Sequence, residues 1–149
     1  MTRRQPKIHT AAEFELDVND SEIDLFRWFL LCLLFGKPIR SDTAVATWRL
    51  FIDKKLDTPW AIASSSEAQL VRVLHAGGYT RYQHVTARGL KICMDRLIRE
   101  YKGSLWLILE SSFDEAEFSG RLKKLHGVGP KVAEIFMRET QEHYARRNE

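Results

Sequence analysis

Residues 121–136 read RLKKLHGVGPKVAEIF, and this stretch decides how the C-terminal part of the chain is expected to fold. Apolar residues recur at helical spacing on both sides of a Gly-Val-Gly turn, and Pro130 stands where a second helix would start. Glycine reaches backbone conformations that are closed to other residues and lets another backbone come close. The pattern therefore predicts a helix-hairpin-helix element over about residues 114–147, with Val128 pointing between the two helices.

The predicted hairpin has the features of a phosphate-binding turn. Free amide groups at the start of its second helix favour an anion, and Lys123, Lys124 and Lys131 flank the turn. Contacts of this kind position a protein on DNA without reading the base sequence. A plain helix–turn–helix corner is the alternative that the same glycines allow. The residues expected to contact a DNA phosphate are Gly127, Val128, Gly129 and Lys124.

The rest of the chain also has a helical pattern. Apolar residues follow helical spacing, and no block of alternating residues indicates a strand. The sequence predicts an all-α domain of seven or eight helices over residues 19–149, the last running from Pro130 almost to the C-terminus. Residues 1–18 lack periodicity and are expected to form a loose arm. Helix starts are expected at Asp20 or Ser21, Ser41, Thr58, Ser65 or Ser66, Thr80, Ser104, Ser112 or Asp114, and Pro130.

Composition limits the class of protein. The 149 residues suit one domain, and a net charge of +3 permits an anionic partner without requiring one. The longest apolar run, residues 28–35, is too short to cross a membrane, and the N-terminus has no signal-peptide pattern, so an intracellular protein is expected. Cys32 and Cys93 are expected to be buried thiols. Two cysteines cannot supply a four-thiolate iron–sulfur cluster or a zinc ribbon.

The hairpin and two segments before it resemble the helix-hairpin-helix DNA glycosylases of the endonuclease III type. The shared segments come in the family's order: residues 30–34 (LLCLL), residues 77–79 (GGY) leading into a helix with Ala87 and residues 90–92 (LKI), and the hairpin. The resemblance covers about residues 22–140. It implies a six-helix barrel domain, binding of duplex or damaged DNA in base excision repair, and a monovalent cation held by hairpin carbonyls. By position these carbonyls belong to Lys123, Leu125 and Val128.

The same resemblance implies a nucleophile. In family members that also cut the DNA backbone, the lysine of the Gly-Val-Gly-x-Lys pattern attacks the sugar, and Lys131 falls on that position. Its amine would attack C1′ of a flipped-out nucleotide and form a Schiff base. Glu134 follows three residues later and is either an ion-pair partner of Lys131 or a proton acceptor for it.

Three features of the sequence depart from the family pattern. The family's catalytic aspartate would fall on Glu149, after a segment with the pattern of a charged helix. The iron–sulfur cysteines are missing, so no such cluster is expected, and a protein partner that completes the cleft stays open. The positions where the family places wedge side chains hold Gly78 and, near the first core helix, residues 36–37 (GK).

A cluster of aromatic and basic residues follows the double glycine at residues 77–78. Tyr79, Arg81, Tyr82 and His84 form either an edge that faces DNA, with Arg81 as the expected contact, or an ordinary helix start with a half-buried tyrosine. Three functional classes stay open. They are a DNA glycosylase with abasic-site lyase activity through Lys131, a non-catalytic module that holds duplex or damaged DNA, and a protein-interaction domain.

Overall fold

The structure is a computed structural model that describes residues 9–147. Helices make up all the regular structure of these residues, with no strand among them, which confirms the predicted all-α class. In this part of the chain no helix combines the length and apolarity needed to cross a bilayer. A 3₁₀ turn, Ala12–Phe14, precedes the helices Glu22–Phe35 (α1), Ser41–Asp53 (α2), Pro59–Ser64 (α3), Glu67–Ala76 (α4), Gln83–Tyr101 (α5), Leu105–Ser111 (α6), Glu115–Lys123 (α7), Pro130–Arg138 (α8) and Gln141–Arg147 (α9).

Local side-chain signals determine where most of these helices begin. Five of them start after a residue whose side chain accepts a hydrogen bond from the amide three residues later, as N-cap residues do. Two predicted starts were displaced: Ser41 is the first residue of α2 instead of its cap, and α5 begins at Gln83, not Thr80, because residues 81–82 form a turn. The five capping residues are Ser21, Thr58, Ser66, Ser104 and Asp114.

Helix α1 lies at the centre of the core. Nine of its 14 residues are buried, because the apolar residues on both sides of Arg27, from Leu25 to Leu34, cover most of the circumference of the helix. Helices α2, α6 and α8 pack against it. The Trp48 indole on α2 donates a hydrogen bond of 2.8 Å to the carbonyl of Arg27 on α1. These contacts hold α1 among the surrounding helices.

Three helix pairs bring three loops to one edge of the molecule. The pairs α1–α2, α4–α5 and α7–α8 pack together across residues 36–40 (loop A), 77–82 (loop B) and 124–129 (loop C). The Lys37 Nζ of loop A lies 5.9 Å from the centre of the Tyr82 ring in loop B. A Cβ atom added to Gly36 would lie 3.9 Å from the carbonyl oxygen of Gly127 in loop C. We call the three loops, with the first turns of the helices that follow them, the three-loop edge.

Loop B needs a glycine where it passes α2. A Cβ atom on Gly77 would lie 2.7 Å from the Cα atom of Thr47, closer than a side chain can approach a backbone. Thr47 is itself buried and donates a 2.8 Å hydrogen bond to the Thr43 carbonyl. Gly77 is therefore required for packing between α2 and α4, in addition to its place at the end of α4.

The segment before α1 differs from the expected loose arm. Ala11 and Val18 are buried, and the His9 ring stacks on Phe35 with their centres 5.0 Å apart. The Ala11 amide donates a hydrogen bond to the carboxylate of Glu139. Residues 9–18 are thus packed on the helices through contacts with residues distant in sequence, while residues 1–8 lie outside the described residues.

The last predicted helix is two helices, α8 and α9. The Thr140 hydroxyl donates to the Met137 carbonyl at 3.0 Å, which closes a turn after α8. The Asn19 side chain accepts the His143 amide at 2.9 Å and so holds the first turn of α9. The His143 ring stacks on Trp106 of α6, with their centres 5.2 Å apart. These contacts hold α9 against α6 and against the segment before α1.

Candidate nucleic-acid interface

The turn between α7 and α8 is formed by residues 124–129, and three of them determine its shape. Gly127 has a φ of +87°, which favours glycine. Val128 is buried, as expected, and its amide donates to the Leu125 carbonyl at 3.1 Å. Gly129 is extended, with a φ of −89° and a ψ of −176°, and it directly precedes α8. Val128 thus packs against the core, while Gly127 and Gly129 are exposed to solvent.

The start of α8 carries free backbone donors. Gly129 stands at the N-cap and has no side chain to accept an amide, and Pro130 follows it. The amides at the second and third positions, those of Lys131 and Val132, belong to the first turn, where an α-helix supplies no acceptor. A Cβ atom on Gly129 would meet no atom within 4 Å, so there is open space beside this N-cap.

Two further helix starts on this edge also lack a side-chain cap. Arg40 precedes α2 and Tyr82 precedes α5, and neither side chain accepts an amide of its helix. By contrast, the capped starts of α1, α3 and α6 meet at the opposite end of α1, around a cavity of about 200 Å³ lined by residues such as Glu22, Pro59 and Ser104. Uncapped helix starts are therefore concentrated at the three-loop edge.

Basic side chains are distributed over the same edge. Arg81, Lys124 and Lys131 are exposed and Lys37 is half-buried. The Arg81 guanidinium lies 5.4 Å from the centre of the Tyr82 ring, which Lys37 also approaches. Arg81 of loop B therefore lies beside loop A. From the sequence, only the lysines of the hairpin were expected to lie close together. Lys37 was not predicted as a DNA contact, because the sequence marked residues 36–37 only as a departure from the family pattern.

A groove separates loop A from α8. It has a volume of about 450 Å³, and Lys131 and Glu134 of α8 both line it. The ion pair considered for these two residues is not formed, and no carboxylate of residues 9–147 lies within 4.0 Å of the Lys131 amine. Other side chains of its wall are those of His9, Lys37, Ile39 and Arg138. The groove therefore combines several basic groups with one carboxylate.

The carbonyl groups of the hairpin are the predicted ligands of a monovalent cation. Leu125 already accepts the amide of Val128, and the neighbouring Lys124 carbonyl accepts the Arg96 guanidinium at 2.7 Å. Arg96 is also paired with Glu100 at 2.8 Å, so this arginine links the Lys124 carbonyl to a carboxylate on α5. The cation at Lys123, Leu125 and Val128 stays a prediction.

Tyr79 belongs to the core and not to the interface. Its side chain is buried, and its hydroxyl donates a 2.7 Å hydrogen bond to the carbonyl of Leu34 near the end of α1. Burial raises the pKa of this phenol. His84 is exposed, and His126 in the hairpin is exposed with its ring against Gly89 of α5. Of the cluster after the double glycine, Arg81, Tyr82 and His84 remain accessible.

The two cysteines are free thiols in the core. Burial raises the pKa of Cys32 and raises that of Cys93 to about 12, so neither is a thiolate at neutral pH. Within residues 9–147, no three His, Cys, Asp or Glu side chains are arranged to hold a metal ion. Glu149, where the family's aspartate would fall, lies outside the described residues.

Comparison with protein-family models, with curated proteins and with solved structures finds no match for this chain.

Proposed function

We propose that the protein binds duplex DNA along the three-loop edge, in the manner of base-excision-repair proteins with a helix-hairpin-helix. The observation that carries the proposal is the convergence of three uncapped helix starts, at Ser41, Gln83 and Pro130, with basic side chains between them. Exposed first-turn amides and the positive end of the helix dipole both favour phosphate oxygens. The resemblance to endonuclease III-type glycosylases, including their six-helix barrel, supports the same function.

Several phosphate contacts along one edge would match a nucleic-acid backbone, which carries one negative charge per nucleotide of each strand. Contacts of this kind release condensed counterions, and the affinity then falls steeply with salt. DNA binding of this kind is governed by charge and backbone shape and depends little on the base sequence.

The salt dependence of duplex binding tests this proposal. We expect the slope of log K against log salt to fall by roughly two in the double variant Arg81→Ala, Lys131→Ala, because each lost phosphate contact removes about 0.9 from the slope. Fluorescence anisotropy with a labelled duplex gives both slopes. The control Lys54→Ala removes an exposed lysine that follows the last turn of α2, away from the edge, and should leave the slope unchanged. Equal slopes in the wild type and the double variant would mean that DNA binds outside the three-loop edge.

A second candidate function is abasic-site lyase activity. The observation that favours it is the exposed Lys131 amine, free of any ion pair in the described chain, in a groove that also contains Glu134. A neutral amine would attack the C1′ aldehyde of an opened abasic sugar, forming a C–N bond while the aldehyde oxygen leaves as water. Removal of a C2′ proton from the resulting imine then breaks the C3′–O bond and releases the 3′ phosphate. Glu134 is the available proton acceptor.

Borohydride trapping on abasic-site DNA tests this second candidate. Reduction of the imine would leave a covalent protein–DNA adduct in the wild type and none in Lys131→Ala, while Lys54→Ala should form as much adduct as the wild type. An undiminished adduct in Lys131→Ala would assign the chemistry to another amine. No adduct in any variant, together with salt-dependent duplex binding, would identify a non-catalytic DNA-binding module. Absence of duplex binding at low salt would favour the protein-interaction domain.

A further inference from the structure

Helix α5 contacts the hairpin turn through two of its residues, Gly89 and Arg96. Gly89 lies against His126, and Arg96 lies against the backbone of Lys124. The two α5 residues are seven positions apart, and an α-helix of about 3.6 residues per turn places such residues on one face, about 10 Å apart along its axis. We call the face of α5 that carries Gly89 and Arg96 the hairpin seat.

Gly89 allows the His126 ring to lie against the backbone of α5. It is buried inside the helix, where glycine is less favourable than alanine. A Cβ atom at this position would lie 3.0 Å from Cδ2 and 3.2 Å from Nε2 of His126, closer than an ordinary van der Waals contact. Gly120 of α7 also lies inside a helix, but a Cβ atom there would meet no atom within 4 Å. The close approach of His126 is thus a local reason for a glycine within α5.

Arg96 holds the backbone of the hairpin at the point where α7 ends. Its Nη1 donates a 2.7 Å hydrogen bond to the carbonyl of Lys124, the C-cap residue of α7. The last carbonyls of a helix have no donor within the helix, so this bond satisfies one of them. The Nε of Arg96 donates to the Glu100 carboxylate, one turn further along α5, at 2.8 Å. The guanidinium is therefore fixed between α5 and the hairpin turn.

The residues held by the hairpin seat lie close to the start of α8. His126 is followed three residues later by Gly129, the N-cap of α8, and α5 itself begins at loop B. We propose that Gly89 and Arg96 are positioning residues for DNA binding, which hold the hairpin turn so that the starts of α5 and α8 reach phosphates of the same duplex. The inference rests on the proposed DNA-binding function and deepens it, because it assigns a role to residues that need not touch DNA.

The variant Gly89→Ala separates positioning from stability. Alanine favours the helix but displaces the His126 ring, so we expect unchanged or higher stability in urea and about fivefold weaker duplex binding by fluorescence anisotropy. The control Gly120→Ala makes the same change where the new Cβ meets no atom, and it should bind DNA like the wild type. In a His126→Ala protein, Gly89→Ala should cause no further loss of affinity, because the ring that it displaces is gone.

The variant Arg96→Met removes the donor to the Lys124 carbonyl. We expect duplex binding about fivefold weaker and faster hydrogen exchange of the Val128 amide, which donates to Leu125 within the turn. Arg96→Lys keeps a charged donor and should retain most of the affinity. In a Gly129→Asp protein, where a carboxylate opposes phosphate at the start of α8, Arg96→Met should cause little further loss. A direct phosphate contact by Arg96 would instead weaken both proteins equally.

Four results would overturn the positioning roles. They are wild-type affinity in Gly89→Ala and Arg96→Met, an equal loss in Gly120→Ala and Gly89→Ala, an unchanged Val128 exchange rate in Arg96→Met, and an Arg96→Met effect that is the same with and without Gly129→Asp. Each of these leaves the DNA-binding function standing as long as the wild type binds duplex DNA. Absence of duplex binding by the wild type would refute the DNA-binding function itself.

Discussion

At the scale of single residues, Tyr79 shows how a side chain that looks functional in sequence can be structural. The last carbonyls of a helix have no donor within the helix, so they accept hydrogen bonds from other groups. Loop B turns the Tyr79 ring into the core, where its hydroxyl satisfies the Leu34 carbonyl of α1. One hydrogen bond thus joins loop B to the end of the central helix, directly behind the proposed interface.

We predict that Tyr79→Phe lowers the free energy of unfolding by about 1–2 kcal/mol, because it leaves the Leu34 carbonyl buried without a donor. Urea denaturation monitored by circular dichroism measures the change. The matched control is Tyr82→Phe, whose half-buried ring lies at the edge, and its effect should stay within about 0.5 kcal/mol. Equal losses in the two variants would contradict the structural role given to Tyr79.

The residues of the candidate site differ in how far the sequence could predict them. Gly127, Val128 and Gly129 could be predicted because the turn that needs them is local, and the burial of Val128 followed from the same pattern. Lys37 could not, because it comes close to the hairpin only through the packing of α1 against the neighbouring helices. Residue type alone gives no sign of such a contact.

At the scale of elements, helix starts were the most predictable feature of the fold. An N-cap depends on a bond between neighbours in sequence, and Ser21, Thr58 and Asp114 make that bond where the sequence indicated it. Contacts between distant residues were not predictable. The break between α8 and α9 and the packing of residues 9–18 both depend on such contacts, made by Asn19 and Glu139.

The uncapped start of α8 leads to a prediction about stability. Gly129 has a backbone conformation open to any residue and free space at its Cβ position, so Gly129→Asp and Gly129→Asn should each add a cap. Both are expected to raise the free energy of unfolding by a few tenths of a kcal/mol. Urea denaturation is again the measurement. A loss above about 1 kcal/mol in either variant would mean that the fold itself requires glycine there.

At the scale of the whole molecule, the two ends of α1 have opposite character. At one end the capped starts of α1, α3 and α6 surround a cavity beside the exposed Ile23 and Trp60. At the other end three uncapped helix starts and several basic residues form the three-loop edge. The helical class was predictable from periodicity, whereas this polarity depends on which loops the packing brings together and could not be predicted.

The central claim is that the three-loop edge, and the start of α8 in particular, binds DNA phosphates. Duplex affinity of Gly129→Asp tests it most directly, because a carboxylate at this cap stabilises the helix but repels a phosphate. Gly129→Asn provides the uncharged cap, and Ser66→Asp places the same charge at the capped start of α4. We predict that at low salt Gly129→Asp binds duplex DNA about tenfold more weakly than Gly129→Asn, about 1.4 kcal/mol, and that Ser66→Asp binds like the wild type. Wild-type affinity in a folded Gly129→Asp protein would contradict the account.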